Sequence, residues 1–453
     1  MKKIKPILAA ILAAACCISF AACDTAGTES QSTDNSSSSD VSVTDASSTA
    51  ETSSEVQESS DTNESSDPAD ESSIPDEEKT EEQIYDEMVE RSLMTTGDPG
   101  RMAQVINKLE NNEEVTVAFL GGSITEGMTA GAELCWAKLT YDYLCEKYPD
   151  AKINYVNAGM SGTPSILGNI RLQRDVLDHT PDLVFVEFAV NDGMEQIYKD
   201  SYEALVREIL QQENDPAVVL YFTVIKSGHT CQSTMAPIGE AYGLPMVSLN
   251  NVLKPEFESG RMTWEDYSDD ESHPNVWGHA MTRDLIAYMF EKVDEAVKAS
   301  ENTEIAPVPD EWVYGDRFEN MQFTDRVYNT DLIKITSTGS FYEKDTLNQF
   351  PNGWEIKGSV ENMSDPFEFT FTGDNLFMLT LCANSDVYAD IQVTVDGEEV
   401  GIFPTSSPNG WSNPEQTLIF SGENKEHTVS LKPIAKEGKT AMFANLLGFG
   451  ITN

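Results

Sequence analysis

The stretch AFLGGSITEG, residues 118–127, ends an apolar run with two glycines and a serine. Turns of this composition either cradle a phosphate group or present a nucleophilic serine. A phosphate cradle would need Gly-x-x-x-x-Gly-Lys-Ser/Thr, or Gly-x-Gly-x-x-Gly opening a helix, and the stretch matches neither pattern. Ser123 is therefore a candidate nucleophile on a tight turn, where glycine permits close backbone approach.

A nucleophilic serine needs a base and donors for the oxyanion that forms during acyl transfer. In the segment DDESHPN, Asp270 precedes His273 by three residues. The histidine could take the serine proton, and the aspartate could hold the imidazole in one tautomer. The candidate oxyanion donors are the backbone amides of Ser123 and Gly162 and the side-chain amide of Asn191. These residues are the parts of an acyl-transfer site.

Four of these residues have a competing residue nearby in the sequence. The competing residues are Ser161 for Ser123, Asp269 for Asp270, His279 for His273, and Gly159 for Gly162. Ser161 does not follow an apolar run directly, and His279 has no carboxylate three residues before it. The spacing to His273 favours Asp270 over its neighbour.

Five apolar runs, each followed by a polar turn or a helical pattern, must position these residues. The runs are Val115–Leu120, Ile153–Ala158, Asp182–Val190, Ala217–Ile225 and Pro245–Leu249. Nearly continuous apolar strands that alternate with helices indicate a parallel sheet covered on both faces. We predict a three-layer α/β/α, flavodoxin-like domain with a five-stranded parallel sheet over residues 84–300. Ligands of such sheets bind beyond the carboxyl ends of the strands, where the candidate residues lie.

The sequence changes character after residue 300. ENTEIAPVPD (residues 301–310) has the composition of a linker. Residues 311–453 contain short runs of alternating apolar and polar residues and an Asp-Gly hairpin turn at Asp396 and Gly397. This pattern predicts a second, all-β domain built as a jelly-roll-like sandwich.

Four other side chains are candidates for substrate contact. His229 follows the fourth apolar run, and Trp136 lies at the start of the first long helix of the α/β pattern. Trp354 and Trp411 lie in loop-like FPNGW and SPNGW contexts, where an aromatic face could stack on a sugar. Ordinary packing is the preferred interpretation for Trp136, Trp354 and Trp411, and a solvated loop position is an equal alternative for His229.

The motif set resembles the SGNH (GDSL-type) hydrolase family. The matching blocks are Gly121-Gly122-Ser123-Ile124, Asn157 to Gly162, Asn191-Asp192, and Asp270 to Pro274. The resemblance implies Ser123 as the nucleophile, Gly162 and Asn191 as oxyanion donors, and Asp270 and His273 as the rest of the triad. Two positions depart from the family pattern: Gly122 replaces its usual Asp, and Val190 replaces a Gly that often precedes the third-block Asn.

The N-terminal region indicates export. Within residues 1–23, basic Lys2, Lys3 and Lys5 precede an apolar stretch, and FAAC (residues 20–23) resembles the lipobox of bacterial lipoproteins, which implies lipidation at Cys23. Residues 24–83 are acidic and Ser-rich and are predicted to be a disordered tether. We expect a protein that is lipid-anchored at the extracellular face of a bacterial membrane, with ordinary secretion as the alternative. The formal net charge of −48 argues against a nucleic-acid partner.

The resemblance implies a serine esterase that forms an acyl-enzyme and needs no metal or organic cofactor. The Gly-Gly-Ser variant and the accompanying β-sandwich are similar to two-domain carbohydrate esterases. The expected substrate is therefore a carbohydrate bearing O-acetyl or other short acyl groups. Two alternatives stay open: a lipase or thioesterase, and a catalytically inactive glycan-binding lipoprotein of the cell surface.

Overall fold

The α/β domain contains a six-stranded sheet. The computed structural model describes residues 79–453, so the predicted signal segment with Cys23 and most of the predicted tether lie outside the described residues. The strands are β1 (Leu93–Thr95), β2 (Glu114–Gly121), β3 (Lys152–Gly159), β4 (Leu183–Glu187), β5 (Ala217–Phe222) and β6 (Met246–Ser248), in the spatial order β1-β6-β5-β4-β2-β3. Strands β2 to β6 pair in parallel, which confirms the predicted five-stranded parallel sheet. Strand β1 adds a short antiparallel edge that the sequence pattern did not predict.

Helices cover both faces of this sheet and confirm the three-layer class. Those before and between the strands are Glu81–Ser92, Pro99–Glu110, Ser123–Glu126, Trp136–Lys147, Ser165–Asp175, Gln196–Leu210 and Gln232–Ala241; those after β6 are Leu249–Ser259, Trp264–Tyr267 and Val276–Ala299. Two buried apolar clusters contain alternate side chains of the same strands, such as Phe119 in one cluster and Leu120 in the other. The helix Leu249–Ser259 was not predicted from sequence, because Pro255 within it weakens the helical pattern. No helix within residues 79–453 combines the length and apolar character needed to cross a membrane.

The C-terminal region is all-β and antiparallel, as predicted. Its strands are β7 (Gln322–Thr324), β8 (Ile333–Ser337), β9 (Tyr342–Lys344), β10 (Gly353–Ser359), β11 (Phe367–Ala383), β12 (Asp390–Val395), β13 (Glu398–Pro404), β14 (Trp411–Ile434) and β15 (Ala441–Thr452). The two central strands, β11 and β14, are long and interrupted by register shifts. The predicted hairpin turn joins β12 to β13, with Asp396 at φ 52° and Gly397 at φ 86°, as a two-residue hairpin turn of this type requires.

An apolar junction joins the two domains. Ile166, Leu167 and Ile170 of the α/β domain are buried in one cluster with Phe318 and Phe377. A methyl group at Gly450 would lie only 2.7 Å from Ile170, so the backbone of β15 packs closely against the helix Ser165–Asp175. This contact holds the loops of the β domain against the carboxyl edge of the parallel sheet.

The predicted linker, residues 301–310, lies on the surface of the α/β domain. The Arg207 guanidinium donates to the Pro309 carbonyl at 2.6 Å and lies 4.2 Å from the centre of the Trp312 ring. The backbone amides of Val313 and Tyr314 donate to the buried carboxylate of Glu203. The connection is therefore held by side chains of the helix Gln196–Leu210, although it has no regular structure of its own.

Candidate active site

Three predicted side chains form a hydrogen-bonded chain. The Ser123 hydroxyl lies 2.9 Å from His273 Nε2, and His273 Nδ1 lies 2.8 Å from Asp270 Oδ2. Burial by itself would raise the pKa of Asp270, but hydrogen bonds from the His273 and Ser272 amides and from the imidazole lower it below its ordinary value. The carboxylate therefore stays ionised beside the imidazole and can stabilise its cation.

The loop carrying Asp270 and His273 is fixed by backbone and hydroxyl bonds. Asp270 Oδ1 accepts from the backbone amides of Ser272 and His273, each at 2.7 Å. The Ser268 hydroxyl donates to the Asp270 carbonyl at 2.9 Å, and the Thr129 hydroxyl donates to the Pro274 carbonyl at 2.6 Å. These contacts orient the histidine toward the nucleophile before substrate arrives.

Ser123 begins a single helical turn directly after β2. Thr125 and Gly122 connect this turn to Glu187, the last residue of β4: the Thr125 hydroxyl donates to the Glu187 carboxylate at 2.9 Å, and the Gly122 backbone also hydrogen-bonds to that carboxylate. A methyl group at Gly122 would lie 2.3 Å from Asn191 Oδ1. Glycine at position 122, where the resembled family usually has Asp, leaves space for the Asn191 side chain over the turn.

Three donors are free to face a developing oxyanion. The backbone amides of Ser123 and Gly162 donate to no other residue within the described chain. Asn191 Oδ1 is buried without a partner, and its Nδ2 makes no hydrogen bond within residues 79–453. Gly162 adopts φ 70°, a conformation that glycine takes at little cost. The residues expected to supply the oxyanion hole therefore keep their donors available.

The competing residues have other roles. Both the hydroxyl and the backbone amide of Ser161 donate to Glu126 Oε2, so Ser161 is not paired with a histidine. His279 accepts from the Trp136 backbone amide at 3.1 Å, and burial lowers the pKa of His279 to about 4. A neutral, buried imidazole engaged in this way is a structural group, so His273 remains the candidate base.

These residues line a cavity of about 370 Å³. Its wall contains Ser123, Ser161, Gly162, Asn191 and His273, together with Ile124, Met128, Val190, Ile225, Ser272 and Trp411. The loops after four parallel strands and the loop carrying His273 therefore meet at one edge of the sheet, as the sequence order predicts.

Trp411 is the contribution of the β domain to this cavity. It is 59% exposed, and its Cζ2 atom lies 3.0 Å from the place where a methyl group at Gly162 would be. The preference for ordinary packing is therefore wrong for Trp411. It holds for Trp354, which is 1% exposed and packs 5.1 Å from the Phe367 ring.

Two expected substrate contacts are placed differently by the structure. Trp136 is completely buried, with its ring 5.2 Å from that of Phe119 and 5.1 Å from that of Tyr221. The preferred interpretation of ordinary packing is confirmed for Trp136, and the alternative of substrate contact is wrong, because its indole is part of the buried core. His229 is half-buried and stands outside the wall of the Ser123 cavity, with Nε2 3.0 Å from the Asp192 carbonyl.

Glu126 was not predicted from sequence. Its carboxylate oxygen Oε2 accepts two hydrogen bonds from Ser161, the neighbour of Gly162. One comes from the Ser161 backbone amide at 2.7 Å, and the other comes from the Ser161 hydroxyl. Replacing Glu126 by glutamine is expected to lower kcat about three- to tenfold at unchanged KM, because a neutral oxygen holds the loop more weakly. Steady-state kinetics of Glu126→Gln beside Glu133→Gln, a change at an exposed loop residue, measure this. A rise in KM alone would contradict the assignment.

Glu187 lies completely buried under the nucleophile turn, and this burial raises its pKa to about 7. The unfolded chain ionises this carboxyl at about pH 4.5, so rising pH favours unfolding through that window. We expect the stability of the wild type, relative to Glu187→Gln, to decrease between about pH 5 and about pH 8. Thermal unfolding of both proteins at each pH tests this, with Glu133→Gln as control. A difference independent of pH would contradict it.

No group of three or more His, Cys, Asp or Glu side chains in residues 79–453 is arranged to hold a metal ion.

Comparisons with known proteins agree with this arrangement. Residues 119–281 match the GDSL-like Lipase/Acylhydrolase family. The chain is similar over 81% of its length to a solved two-domain esterase (CEX) active on acetylated mannans and co-crystallised with mannopentaose, with 25% identity, a TM-score of 0.70 and 98% of that chain covered. A second structure of such an esterase gives 26% identity and the same TM-score of 0.70, with 99% of its chain covered.

Two curated proteins share part of the α/β domain. Thioesterase 1/protease 1/lysophospholipase L1 of Escherichia coli (strain K12) is 34% identical over 96 residues, which cover 21% of this chain and 44% of that protein. Arylesterase of Vibrio mimicus is 36% identical over 75 residues, 17% of this chain and 36% of that protein. The chain therefore spans less than half the length of these relatives.

The predicted SGNH resemblance and the predicted order of an SGNH hydrolase domain and an all-β domain are confirmed.

Proposed function

We propose that this SGNH-type hydrolase removes O-acetyl or other short acyl groups from carbohydrate through an acyl-enzyme on Ser123. The observation that carries the proposal is the hydrogen-bonded chain from Ser123 through His273 to Asp270, which opens into a cavity with Trp411 in its wall. A serine with a positioned base attacks esters, and an exposed aromatic ring beside it suits a sugar face.

The proposed chemistry uses this arrangement of side chains and amides. His273 Nε2 takes the proton of Ser123 as the hydroxyl oxygen attacks the ester carbonyl, and the amides of Ser123, Gly162 and Asn191 donate to the oxyanion. The bond to the sugar oxygen then breaks, and the imidazolium returns the proton to the leaving hydroxyl. Water, deprotonated by the same imidazole, then attacks the acyl-serine; the bond to the Ser123 oxygen breaks, the imidazolium returns the proton to that oxygen, and the acid is released.

The carbohydrate assignment is supported by two features taken together. The solved esterase that covers both domains of this chain is described as active on acetylated mannans. In this chain the β domain places Trp411 against the Gly162 loop, so a substrate at Ser123 would touch both domains. A substrate with an extended polar body and a small acyl group uses such a two-domain surface better than a fatty acyl chain does.

Acetate release separates this function from its alternatives. The full chain is incubated with acetylated mannan, acetylated xylan and acetylated peptidoglycan, and with a long-chain p-nitrophenyl ester. Acetate from a glycan, with little turnover of the long-chain ester, is the expected result. Preference for the long-chain ester would favour a lipase or thioesterase. Glycan binding without turnover of any ester would favour an inactive binding protein.

Trp411 is expected to contribute to the hydrolysis of acetylated glycans and not to the hydrolysis of small esters. Replacing it by alanine should lower kcat/KM for the acetylated glycan roughly tenfold, because a large apolar contact surface is lost. The kcat/KM for p-nitrophenyl acetate should change less than about twofold. Trp411→Phe should restore part of the loss, and Tyr342→Ala, at an exposed aromatic of the same domain, serves as control. Equal losses on both substrates would contradict a role in sugar contact.

We also propose that the protein is held at the extracellular face of a bacterial membrane by lipid at Cys23. Support comes from the charged start, the apolar stretch and the FAAC sequence before an acidic, Ser-rich segment. The lipid would be the membrane contact, and acylated carbohydrate the substrate. Partition of the expressed full chain into a detergent phase, lost in Cys23→Ala, is the expected result. Equal partition of both proteins would reject the anchor.

A further inference from the structure

A second cavity lies where the two domains meet. Its volume is about 530 Å³, larger than the 370 Å³ at Ser123. One wall comes from the end of β3 and from the helix Ser165–Asp175, and the other from residues 325–328 and 348–352 of the β domain. We propose that this interdomain cleft binds sugar units of the same glycan chain whose acylated unit lies at Ser123. The inference rests on the proposed function and extends it to a second subsite.

The charged groups in the cleft are already paired with each other or with the backbone. Asp175 accepts from Arg171 at 3.0 Å and from Arg174 at 2.6 Å. Asp325 accepts from the backbone amides of Val327 and Tyr328 at 2.7 and 2.8 Å. The cleft therefore offers little uncompensated charge for an ionic ligand, and an uncharged ligand fits it better.

The rim carries polar side chains without protein partners. The side chains of Asn348, Gln349 and His179 make no hydrogen bond within the described part of the chain. Side-chain amides provide donors and acceptors together. A sugar hydroxyl also donates and accepts. The aromatic ring of Tyr328 lies in the same cleft. Amide groups that both donate and accept, together with an aromatic side chain, suit a polyhydroxylated ligand.

The walls of the cleft are packed against the buried junction between the domains. The Arg174 guanidinium lies 4.8 Å from the centre of the Phe323 ring and 4.9 Å from that of Phe350. Both rings are buried in the apolar junction between the domains. Asp325, whose carboxylate holds the turn at residues 325–328, is also buried, with 2% of its surface exposed. A preformed cleft loses little conformational entropy when it binds a flexible oligosaccharide.

One short loop separates this cleft from the Ser123 cavity. Gly159 and Met160 line the cleft, and the next two residues, Ser161 and Gly162, line the Ser123 cavity. Consecutive Cα atoms are about 3.8 Å apart, so residues of the two cavity walls are direct neighbours in the chain. An extended oligosaccharide long enough to cross this loop would contact both.

The test compares substrates that differ in length. The double variant Asn348→Ala/Gln349→Ala of the full chain is assayed with p-nitrophenyl acetate and with short and long acetylated manno-oligosaccharides. Asn424→Ala, at another exposed asparagine of the β domain, is the control. We expect KM for the long oligosaccharide to rise roughly three- to tenfold in the double variant, because hydrogen bonds to uncharged groups are lost. The kinetics with the short oligosaccharide and with p-nitrophenyl acetate should not change.

The outcomes distinguish this inference from the function on which it rests. The wild type could release acetate from glycans while KM for the long oligosaccharide stays unchanged in the double variant. This result would overturn the proposed sugar binding in the cleft and leave the esterase function standing. Equal losses on all substrates would also overturn it, since they would indicate a general structural effect. Failure of the wild type to deacetylate any glycan would overturn the proposed function and the cleft together.

Discussion

Ser123→Ala is expected to lower kcat for acetyl-ester hydrolysis by at least roughly 10³-fold. The variant loses the nucleophile, so only the oxyanion donors and substrate binding remain to accelerate attack by water. His273→Ala should have a similar effect, and combining the two should add little, because the serine and histidine act as one unit. Steady-state hydrolysis of p-nitrophenyl acetate measures all three proteins.

Ser161→Ala is the matched control for this prediction. Ser161 lines the same cavity, but its hydroxyl is bound to Glu126, so its removal should cost less than about tenfold in kcat. Loss of activity in Ser161→Ala with retention in Ser123→Ala would reverse the assignment of the nucleophile. Circular dichroism of each variant separates loss of chemistry from loss of fold.

Asn191→Ala is expected to lower kcat by about 10²–10³-fold with little change in KM. Its side-chain amide faces the cavity with a free donor, and that donor is needed when negative charge develops on the carbonyl oxygen. Binding of a phosphonate that mimics the tetrahedral intermediate should weaken in parallel with kcat/KM.

The contrast between analogue and substrate makes this prediction specific. A group that only shapes the pocket would weaken substrate and analogue equally, which would raise KM and contradict the oxyanion role. Asn424→Ala, at an exposed site in the β domain, should leave both measurements unchanged.

The sequence alone determined the architecture of the α/β domain and the identity of the candidate reacting groups. Apolar strand runs and helical patterns are local signals, so the five parallel strands could be predicted to within a few residues. The carboxyl ends of parallel strands must share one edge of the sheet, and this rule predicted that Ser123 and Asn191 lie close together. The close spacing of Asp270 and His273 similarly predicted their hydrogen bond, which the structure contains.

Contacts between residues distant in the chain were decided only by the tertiary structure. Trp411 and Trp354 share the same local sequence context, yet one lines the Ser123 cavity and the other fills the β-domain core. Trp136 was a candidate for substrate contact, with core packing preferred, and its ring is enclosed by aromatic rings from neighbouring strands. These outcomes depend on how the second domain docks and how side chains fill the available volume, and no local periodicity encodes either. The interdomain cleft exists for the same reason: its two walls meet only when both domains are folded together.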